Sequence, residues 1–336
     1  VAQSQANTDR LDNEEIFKMT TTASTQRKPA NKTRAAHRRA PARSKANVAP
    51  MVKAERPAAS PVPPVQYEPG QGLNGPDPEL MTKQSGIWNT LMERYFRLEF
   101  DGFENLPEEP CLLIGVHSGG PLTMDAWTVV MAWWRQFGKK RSLHGTAHDV
   151  LMNTPVLGQY FKRLGTISPT KENIRAAFDK GDDVILWPGG EVDAYRKWSD
   201  RDKAVLGGRK GFIRLAMSAG VPIVPVATVG GHDTLFVLSE GRGLAKKLKL
   251  KERMRSDVAP ITLSWPFGLA LHLTPLQHVP LPAKIRTRIL EPIYLDNDPK
   301  RLDDQEYVES MYAEIEGKIQ AGMDQLAKKR RFPLFG

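Results

Sequence analysis

Cysteine and long apolar runs are scarce in this chain of 336 residues. Its one cysteine, Cys111, excludes an intramolecular disulfide and any multi-cysteine metal site, and is typical of a reducing compartment. No apolar run reaches the roughly 18 residues of a membrane-spanning helix. The best candidate, residues 126–134, has about half that length. The N-terminus lacks the basic start and apolar stretch of a secretory signal. We therefore expect a cytoplasmic protein, soluble or bound to a membrane surface, with no transmembrane helix and no signal peptide.

Aromatic residues are almost absent from the first 80 positions, which hold two of the 26 in the chain but ten of its 26 prolines. Residues 25–56 carry ten basic side chains and one acid, which gives nine of the ten net positive charges. This composition predicts a disordered Ala/Pro/basic tail at residues 1–80 and a folded domain at residues 81–336. The tail is interpreted as a solubilising linker, a segment attracted to anionic membranes, or a nucleic-acid binder. Nucleic acid ranks last because no aromatic residues interleave the basic ones.

Short apolar runs alternate with helical patterns beyond residue 80. Strands are predicted at residues 111–116, 184–187, 222–228 and 285–295. Helices are predicted at residues 84–97, 122–137, 169–181, 211–219 and 303–328, the first and last being amphipathic. This alternation indicates an α/β fold with a mixed, largely parallel sheet and helices on both of its faces.

Three polar, glycine-bearing segments follow three of these strands. They are residues 117–120 (His-Ser-Gly-Gly), 189–191 (Gly-Gly-Glu) and 230–233 (Gly-Gly-His-Asp). Ligands of such folds collect at the carboxyl ends of the strands, so a site is expected where the three segments converge on one rim.

His117 is the leading catalytic candidate. It directly follows a buried strand, in a glycine-rich loop, which suits a general base held by a rigid sheet yet open to solvent. Asp125 lies eight residues on and would orient the imidazole if the loop folds back. The alternative is an ordinary loop histidine. Ser118 suggests a serine hydrolase, but the Gly-x-Ser-x-Gly elbow is misplaced in this sequence.

Two further segments have the composition of anion sites. Gly189 and Gly190 expose backbone amides that suit an oxyanion or a phosphate, although paired glycines are also a common tight turn. Their acidic neighbours, Glu191 and Asp193, are either solvated or hold basic groups such as Arg196.

Basic residues open the helix predicted at residues 211–219, where they oppose the helix dipole and favour an anionic ligand. This makes Arg209, Lys210 and Arg214 candidates for phosphate binding, the alternative being surface bases paired with carboxylates. Motifs for nucleotide hydrolysis, dinucleotide binding and zinc proteolysis do not occur.

Taken in order over residues 98–295, these segments resemble the lysophospholipid acyltransferase superfamily, in particular its monoacylglycerol/diacylglycerol acyltransferase-like branch. The His-Pro-His-Gly block is matched at His117 and Gly120, and the Gly-Gly-x-x-Glu block at residues 189–193, with Asp in the last place. The most specific match is the Arg-x-Gly-Phe block at residues 209–212 and its Val-Pro continuation at 224–225. The superfamily's aspartate five positions after the histidine is Leu122 here, which leaves Asp125 as the nearest acid.

The resemblance implies a glycerolipid acyltransferase-like αβα fold and an O-acyltransferase that esterifies a glycerolipid hydroxyl from acyl-CoA or acyl carrier protein, without a metal or redox cofactor. It implies these roles: His117 as general base, Asp125 as its partner, Gly120, Gly189, Gly190 and Glu191 at the oxyanion or acceptor, and Arg209 and Lys210 at phosphate. The alternatives are a lipid hydrolase that depends on Ser118 and an adaptor that binds membranes or polyanions through the basic tail.

A lipid substrate also implies peripheral contact with the inner face of an anionic membrane. The candidate contacts are the helix around Trp88, the tryptophans 127, 133 and 134, and the basic residues of 246–255. The apolar segment 260–276 either dips into the interface or lines an acyl tunnel.

Overall fold

The computed structural model describes residues 72–254, 256–272, 277–330 and 332, so the prediction for the tail lies outside the described residues as far as position 71. Within the described part, nine strands form two sheets. These are β1 (Glu99–Asp101), β2 (Leu112–Ile114), β3 (Leu143–Gly145), β4 (Asp183–Leu186), β5 (Ile223–Val229), β6 (Phe236–Ser239), β7 (Ile261–Ser264), β8 (Gly268–Leu271) and β9 (Arg286–Ile289).

The main sheet has six strands in the order β1–β9–β5–β2–β4–β3. Strands β5, β2, β4 and β3 are parallel to one another, whereas β9 runs antiparallel to β5 and parallel to β1. The α/β prediction of a mixed, largely parallel sheet is therefore confirmed.

The described residues also form ten α-helices. These are α1 (Pro78–Thr90), α2 (Met124–Phe137), α3 (Asp149–Met152), α4 (Leu157–Arg163), α5 (Lys171–Asp179), α6 (Gly190–Ala194), α7 (Gly211–Ala219), α8 (Arg242–Lys247), α9 (Leu250–Met254) and α10 (Gln305–Lys328). None of them is long and apolar enough to cross a membrane.

Helices cover both faces of the main sheet because its central strands are apolar on both sides. In β2, Leu112 and Ile114 belong to the core cluster that includes α5, α7 and α10. Leu113, between them, points the other way and packs with Val129 and Trp133 of α2. This alternation is the two-residue period of a strand, with an apolar side chain at every position.

The first helix begins earlier than the sequence pattern predicts. Asp77 caps it by accepting hydrogen bonds from the amides of Glu79 (2.9 Å) and Leu80 (3.3 Å), and Pro78 occupies the first turn. The helix ends in one π-helical turn at Leu91–Tyr95. Helix α1 packs on the domain, since Trp88 stacks on Trp127 with 4.9 Å between ring centroids.

A second sheet of three strands, in the order β6–β7–β8, occupies the region where the sequence predicts only an apolar segment. Its strands are antiparallel, and β7 and β8 are joined by the turn Trp265-Pro266-Phe267. No strand is predicted at β7 because its pattern is inverted: its buried face carries the polar Thr262 and Ser264 and its exposed face carries the apolar Ile261 and Leu263.

Candidate active site

The three glycine-bearing segments converge at one end of the main sheet, as the sequence predicts. They leave the carboxyl ends of β2, β4 and β5, of which β2 lies between the other two. Ser118 packs so closely on Gly231 that a Cβ there would lie 1.9 Å from the serine Oγ. The His117 and Trp187 rings stack nearly parallel, with centroids 4.9 Å apart. The turns that follow β4 and β5 therefore flank the loop that holds His117.

His117 and Asp125 are brought together by the fold. The Nδ1 atom of His117 lies 3.1 Å from Oδ2 of Asp125, which is buried, while the histidine side chain stays 17% exposed. The other carboxylate oxygen, Oδ1, accepts hydrogen bonds from the Ser118 amide (2.7 Å) and hydroxyl (3.1 Å). A carboxylate at Nδ1 favours the tautomer in which Nε2 is free to accept a proton.

The loop folds back onto helix α2 through a run of left-handed backbone. Gly119 and Gly120 have φ values of 83° and 70°, and Thr123 follows at 33°. The glycines adopt these angles at little cost, whereas a side chain at Gly120 would strike Leu235, whose Cδ2 lies 2.4 Å from the Cβ position. This reversal explains how an acid eight residues from His117 reaches its ring.

Asp193 holds the same loop from the opposite side. Its carboxylate is fully buried and accepts a hydrogen bond from the backbone N–H of His117 while it pairs with the guanidinium of Arg196. Burial raises the pKa of Asp193 to about 7, and the charges of Arg196 and His117 oppose that rise. The sequence indicates the pairing with Arg196 as one of two alternatives, but gives no sign of the contact with His117.

Trp187 supplies a flat wall for the His117 ring. Its indole lies over Gly115, where a Cβ would be 2.8 Å from the indole Nε1. The site therefore depends on a glycine two residues before His117 and on the residue that directly follows strand β4. Neither position was a candidate in the sequence analysis.

The candidate anion-binding glycines differ in their surroundings. The amide of Gly190 already donates to the carbonyl of Trp187 at 3.2 Å, so it serves the turn. Gly189 is packed against Asp193 and Val205, with no space for a side chain. Gly120 opens a short 3₁₀ turn, and an amide in that position has no acceptor within its own turn. Gly120 is buried and lies against Leu235 and Tyr195.

The two basic candidates are held by different parts of the fold. The guanidinium of Arg209 donates to the Pro188 carbonyl at 2.7 Å and lies 3.9 Å from the carboxylate of Glu191. Arg209 therefore lies over the turn that carries Gly189 and Gly190. Lys210 instead forms an ion pair with Glu309 of helix α10. The structure thus places Arg209 beside the candidate site. Lys210 is paired with a carboxylate, which is the alternative to phosphate binding given above for these basic residues.

Three histidines that the sequence analysis does not select are buried behind the His117 loop. Burial lowers the pKa of His232 well below its usual value and that of His278 to about 4. The rings of His272 and His278 are in edge contact with centroids 5.1 Å apart. His232 and His278 are therefore neutral at physiological pH. His232 lies in the glycine-bearing segment 230–233, whereas His272 and His278 follow no strand that the sequence predicts.

Replacing Asp193 by asparagine should change the pH dependence of any reaction that uses His117. In the wild type, Asp193 becomes protonated below about pH 7. Protonation removes the negative charge that balances Arg196, and it weakens the hydrogen bond that the His117 N–H donates to this carboxylate. Activity should therefore fall as the pH drops through 7. In Asp193→Asn the maximum should be about tenfold lower, the cost of one charge-assisted hydrogen bond. The fall in activity that is due to protonation of Asp193 should be absent from the variant. Measuring kcat/KM against pH for both proteins would show this.

The free energy of unfolding, measured against pH for the wild type and Asp193→Asn, tests the direction of this pKa shift. The folded state binds this proton more tightly than the unfolded chain, for which the usual pKa is 3.8. The contribution of Asp193 to the free energy of unfolding therefore falls as the pH rises from about 4 to about 7. The asparagine variant lacks this decline. Parallel stability curves for the two proteins would contradict the assignment.

Comparison with known protein families gives the class of this protein. A family model described as "Diacylglycerol acyltransferase" matches residues 78–320, which include every element of the candidate site. The chain therefore belongs to the diacylglycerol acyltransferase family, and the acyltransferase class that the motifs predict is confirmed at this level.

Individual relatives are more distant. An uncharacterised protein of Mycobacterium tuberculosis is 26% identical over 250 residues, covering 73% of this chain and 66% of its own length. The chicken protein named "DGAT1/2-independent enzyme synthesizing storage lipids" is 29% identical over 211 residues, covering 62% of this chain and 56% of its own. Phytyl ester synthase 1 of Arabidopsis thaliana is 26% identical over 68% of this chain, which spans only 34% of the plant protein.

Proposed function

We propose that this chain is an O-acyltransferase that esterifies the hydroxyl of a glycerolipid from acyl-CoA or acyl carrier protein, with His117 as general base. Membership of the wider lysophospholipid acyltransferase superfamily is part of the same proposal. The observation that carries it is the His117–Asp125 pair, 3.1 Å apart, where three glycine-bearing turns converge. An imidazole backed by a buried carboxylate and open on one side has the geometry that a general base needs.

In the proposed reaction, the acceptor oxygen replaces the thiol sulfur at the thioester carbonyl without a covalent enzyme intermediate. The acceptor hydroxyl gives its proton to Nε2 of His117 as its oxygen bonds to the carbonyl carbon. The carbon–sulfur bond then breaks, and the thiolate leaves and takes the proton back from the imidazolium. Asp125 stabilises the imidazolium between the two steps, and the amide of Gly120 is the proposed donor to the oxyanion. These steps require no metal or redox cofactor.

Arg209 is the proposed contact for a phosphate of the donor or the acceptor. Its guanidinium already lies over the turn of Gly189 and Gly190, and it is one-third exposed. Lys210 would bind the same phosphate only after release from Glu309. Glu191 would meet the acceptor at this rim, where it also limits the positive charge that Arg209 presents.

The position of Ser118 argues against the hydrolase alternative. Ser118 is 3% exposed, and its hydroxyl donates to Asp125 and lies against Gly231. A nucleophilic serine needs its hydroxyl bonded to the base and open to the substrate. Here Asp125 is the shared acceptor of Ser118 and His117, which makes the serine a support for the dyad.

Because the acceptor is a lipid, the proposal includes peripheral binding to the cytoplasmic face of a membrane. The identity of the acceptor is tested by incubating the purified chain with a long-chain acyl-CoA and a panel of alcohols: a lysophospholipid, glycerol 3-phosphate, a monoacylglycerol, a diacylglycerol and phytol. Thiol release and new ester are followed by mass spectrometry. Ester that forms only when an acceptor is present supports the proposal, and thiol release with free fatty acid alone would contradict it.

Ser118→Ala separates the transferase from the hydrolase. We expect ester formation to fall by at most about tenfold, since the variant loses one hydrogen bond to Asp125. A serine nucleophile would instead make the loss greater than about 10³-fold. Initial rates of ester and of free fatty acid formation, measured on the same samples, distinguish these results.

A further inference from the structure

The outer face of the small sheet is apolar and exposed. Its members are Leu238 of β6, Leu263 of β7, Trp265 and Phe267 of the turn, and Leu269 of β8, which are 47–68% exposed. Leu263 and Leu269 are directly opposite each other in the β7–β8 register. A strand that packs one face on a domain normally buries its apolar residues, so a contiguous apolar face of this kind indicates an interaction surface.

The inner face of the same sheet shows that this orientation is fixed. Thr262 and Ser264 are buried, and the hydroxyl of Ser264 donates to the carbonyl of Gln277 at 3.0 Å. The Thr262 hydroxyl lies 3.2 Å from Nδ1 of the buried His272. A shift of register by one residue would expose these polar partners and bury the apolar face, so the hydrogen bonds hold the apolar residues outward.

Basic side chains border the apolar face. Leu271 of β8 packs with Ala245 of α8 and Leu250 of α9, which places these two helices at the end of the sheet. Lys246 and Lys247 end α8, Lys249 lies between the two helices and Lys251 is in α9, and all four are exposed. Lys251 pairs with Asp257, and no carboxylate lies within ion-pair distance of the other three in the part of the chain that the structure describes. A surface that enters the headgroup region of an anionic membrane typically combines exposed Trp and Phe with nearby lysines.

The small sheet also lies directly over the catalytic loop. A Cβ at Gly119 would be 2.6 Å from the Thr234 hydroxyl, and one at Gly120 would meet Leu235, the residue that precedes β6. His272 contacts Tyr195, whose ring lies beside Gly120. A bilayer on the outer face would therefore lie next to the His117 loop, with only the thickness of the small sheet between them.

We propose that the outer face of the small sheet inserts into the headgroup and upper acyl region of an anionic membrane, with Trp265, Phe267 and Leu269 as apolar anchors and the lysines of α8 and α9 on the lipid phosphates. This rests on the proposed function only in that it assigns the membrane contact of an acyltransferase to one surface. It combines residues 260–271 with the basic residues of 246–255 and leaves out the other sequence candidates, since tryptophans 88, 127, 133 and 134 pack within the domain.

The test uses the full chain and two kinds of vesicle, one of phosphatidylcholine and one with about 30 mol% phosphatidylglycerol added. The variant Trp265→Ser/Phe267→Ser/Leu269→Ser should lower the partition coefficient on both vesicles by at least about tenfold. The matched control is Ile87→Ser/Val156→Ser/Leu157→Ser, which removes three exposed apolar side chains from α1 and the start of α4. It should bind like the wild type. Unfolding midpoints verify that both variants are folded.

Charge is tested separately. Lys246→Glu/Lys247→Glu should weaken the preference for anionic vesicles, of which the part due to the basic residues 25–56 remains, and should leave binding to phosphatidylcholine unchanged. Repeating the measurement at about 0.5 M salt screens attraction from the basic residues 25–56, so the apolar contribution can be read alone.

Two results would overturn the proposal: unchanged partitioning of the triple variant, or wild-type protein that binds neither vesicle. A triple variant that becomes monomeric from a larger species, with vesicle binding intact, would make the face an interface between protein copies and would overturn it too. Acyl transfer by the wild type in detergent micelles is measured in parallel. Vesicle binding without transfer contradicts the enzymatic proposal alone, and transfer with unchanged partitioning of the variant contradicts the membrane surface alone.

Discussion

Replacing His117 by alanine should lower kcat for acyl transfer by about 10²–10⁴-fold, the contribution of a positioned general base. The ring contacts both Asp125 and Trp187, so its loss removes the proposed proton acceptor from between them. KM for acyl-CoA should change little, because in the proposed mechanism the imidazole acts on the acceptor hydroxyl. Steady-state rates of ester formation, with both substrates varied, provide the measurement.

The control for His117→Ala is His148→Ala, which removes an exposed imidazole outside the site. It should retain wild-type activity. Equal activity of His117→Ala and the wild type, at equal stability, would exclude general-base catalysis by this residue. In that case the proposed mechanism fails whatever product is formed.

Replacing Asp125 by asparagine should lower kcat by about 10²–10⁴-fold, the range expected when a dyad histidine is held in the wrong tautomer. The carboxylate accepts from Nδ1 of His117 with one oxygen and from the Ser118 amide and hydroxyl with the other. Asparagine has one oxygen for these partners. If it faces Ser118, the NH₂ group faces Nδ1 and places the proton on Nε2, where the base must be free.

The same substitution tests stability, because Asp125 is 1% exposed. One donor left without an acceptor in a buried site costs about 1–3 kcal/mol, which denaturant unfolding would detect. Asp179→Asn, at an exposed position at the end of α5, is the matched control and should change neither kcat nor stability. A large loss of stability with unchanged kcat would make Asp125 a structural residue only.

Four of the six strands of the main sheet could be predicted from the sequence because their signals are local, whereas the three-residue strands β1 and β3 were missed. Each central strand is a short apolar run, and each is followed by glycines, so the loop with His117 is recognisable without a partner. The return of Asp125 to His117 also follows from a local feature, the glycine pair that allows positive φ. What the sequence cannot provide is which distant loops touch. Asp193 lies 76 positions from His117, and Lys210 lies 99 from the glutamate that pairs with it.

The small sheet was missed for a different physical reason. Strand prediction assumes that apolar residues face the core, but in β7 the apolar Leu263 is exposed and the polar Thr262 is buried. The polar residues are stabilised inside by hydrogen bonds that only the folded chain supplies, such as that from Ser264 to Gln277. A pattern of alternation is visible in the sequence, but its orientation is a property of the tertiary structure.

The pairing of β1 with β9 has a consequence for the order in which the chain folds. Residues 99–101 form their ladder with residues 286–288, so the edge of the main sheet is completed only after about 190 residues of intervening chain are in place. The His117 loop likewise depends on Gly231, more than a hundred positions later. On the ribosome, β1 and the loop wait for sequence not yet translated. The His117–Asp125 pair therefore reaches its final packing only after the chain as far as Gly231 has been synthesised.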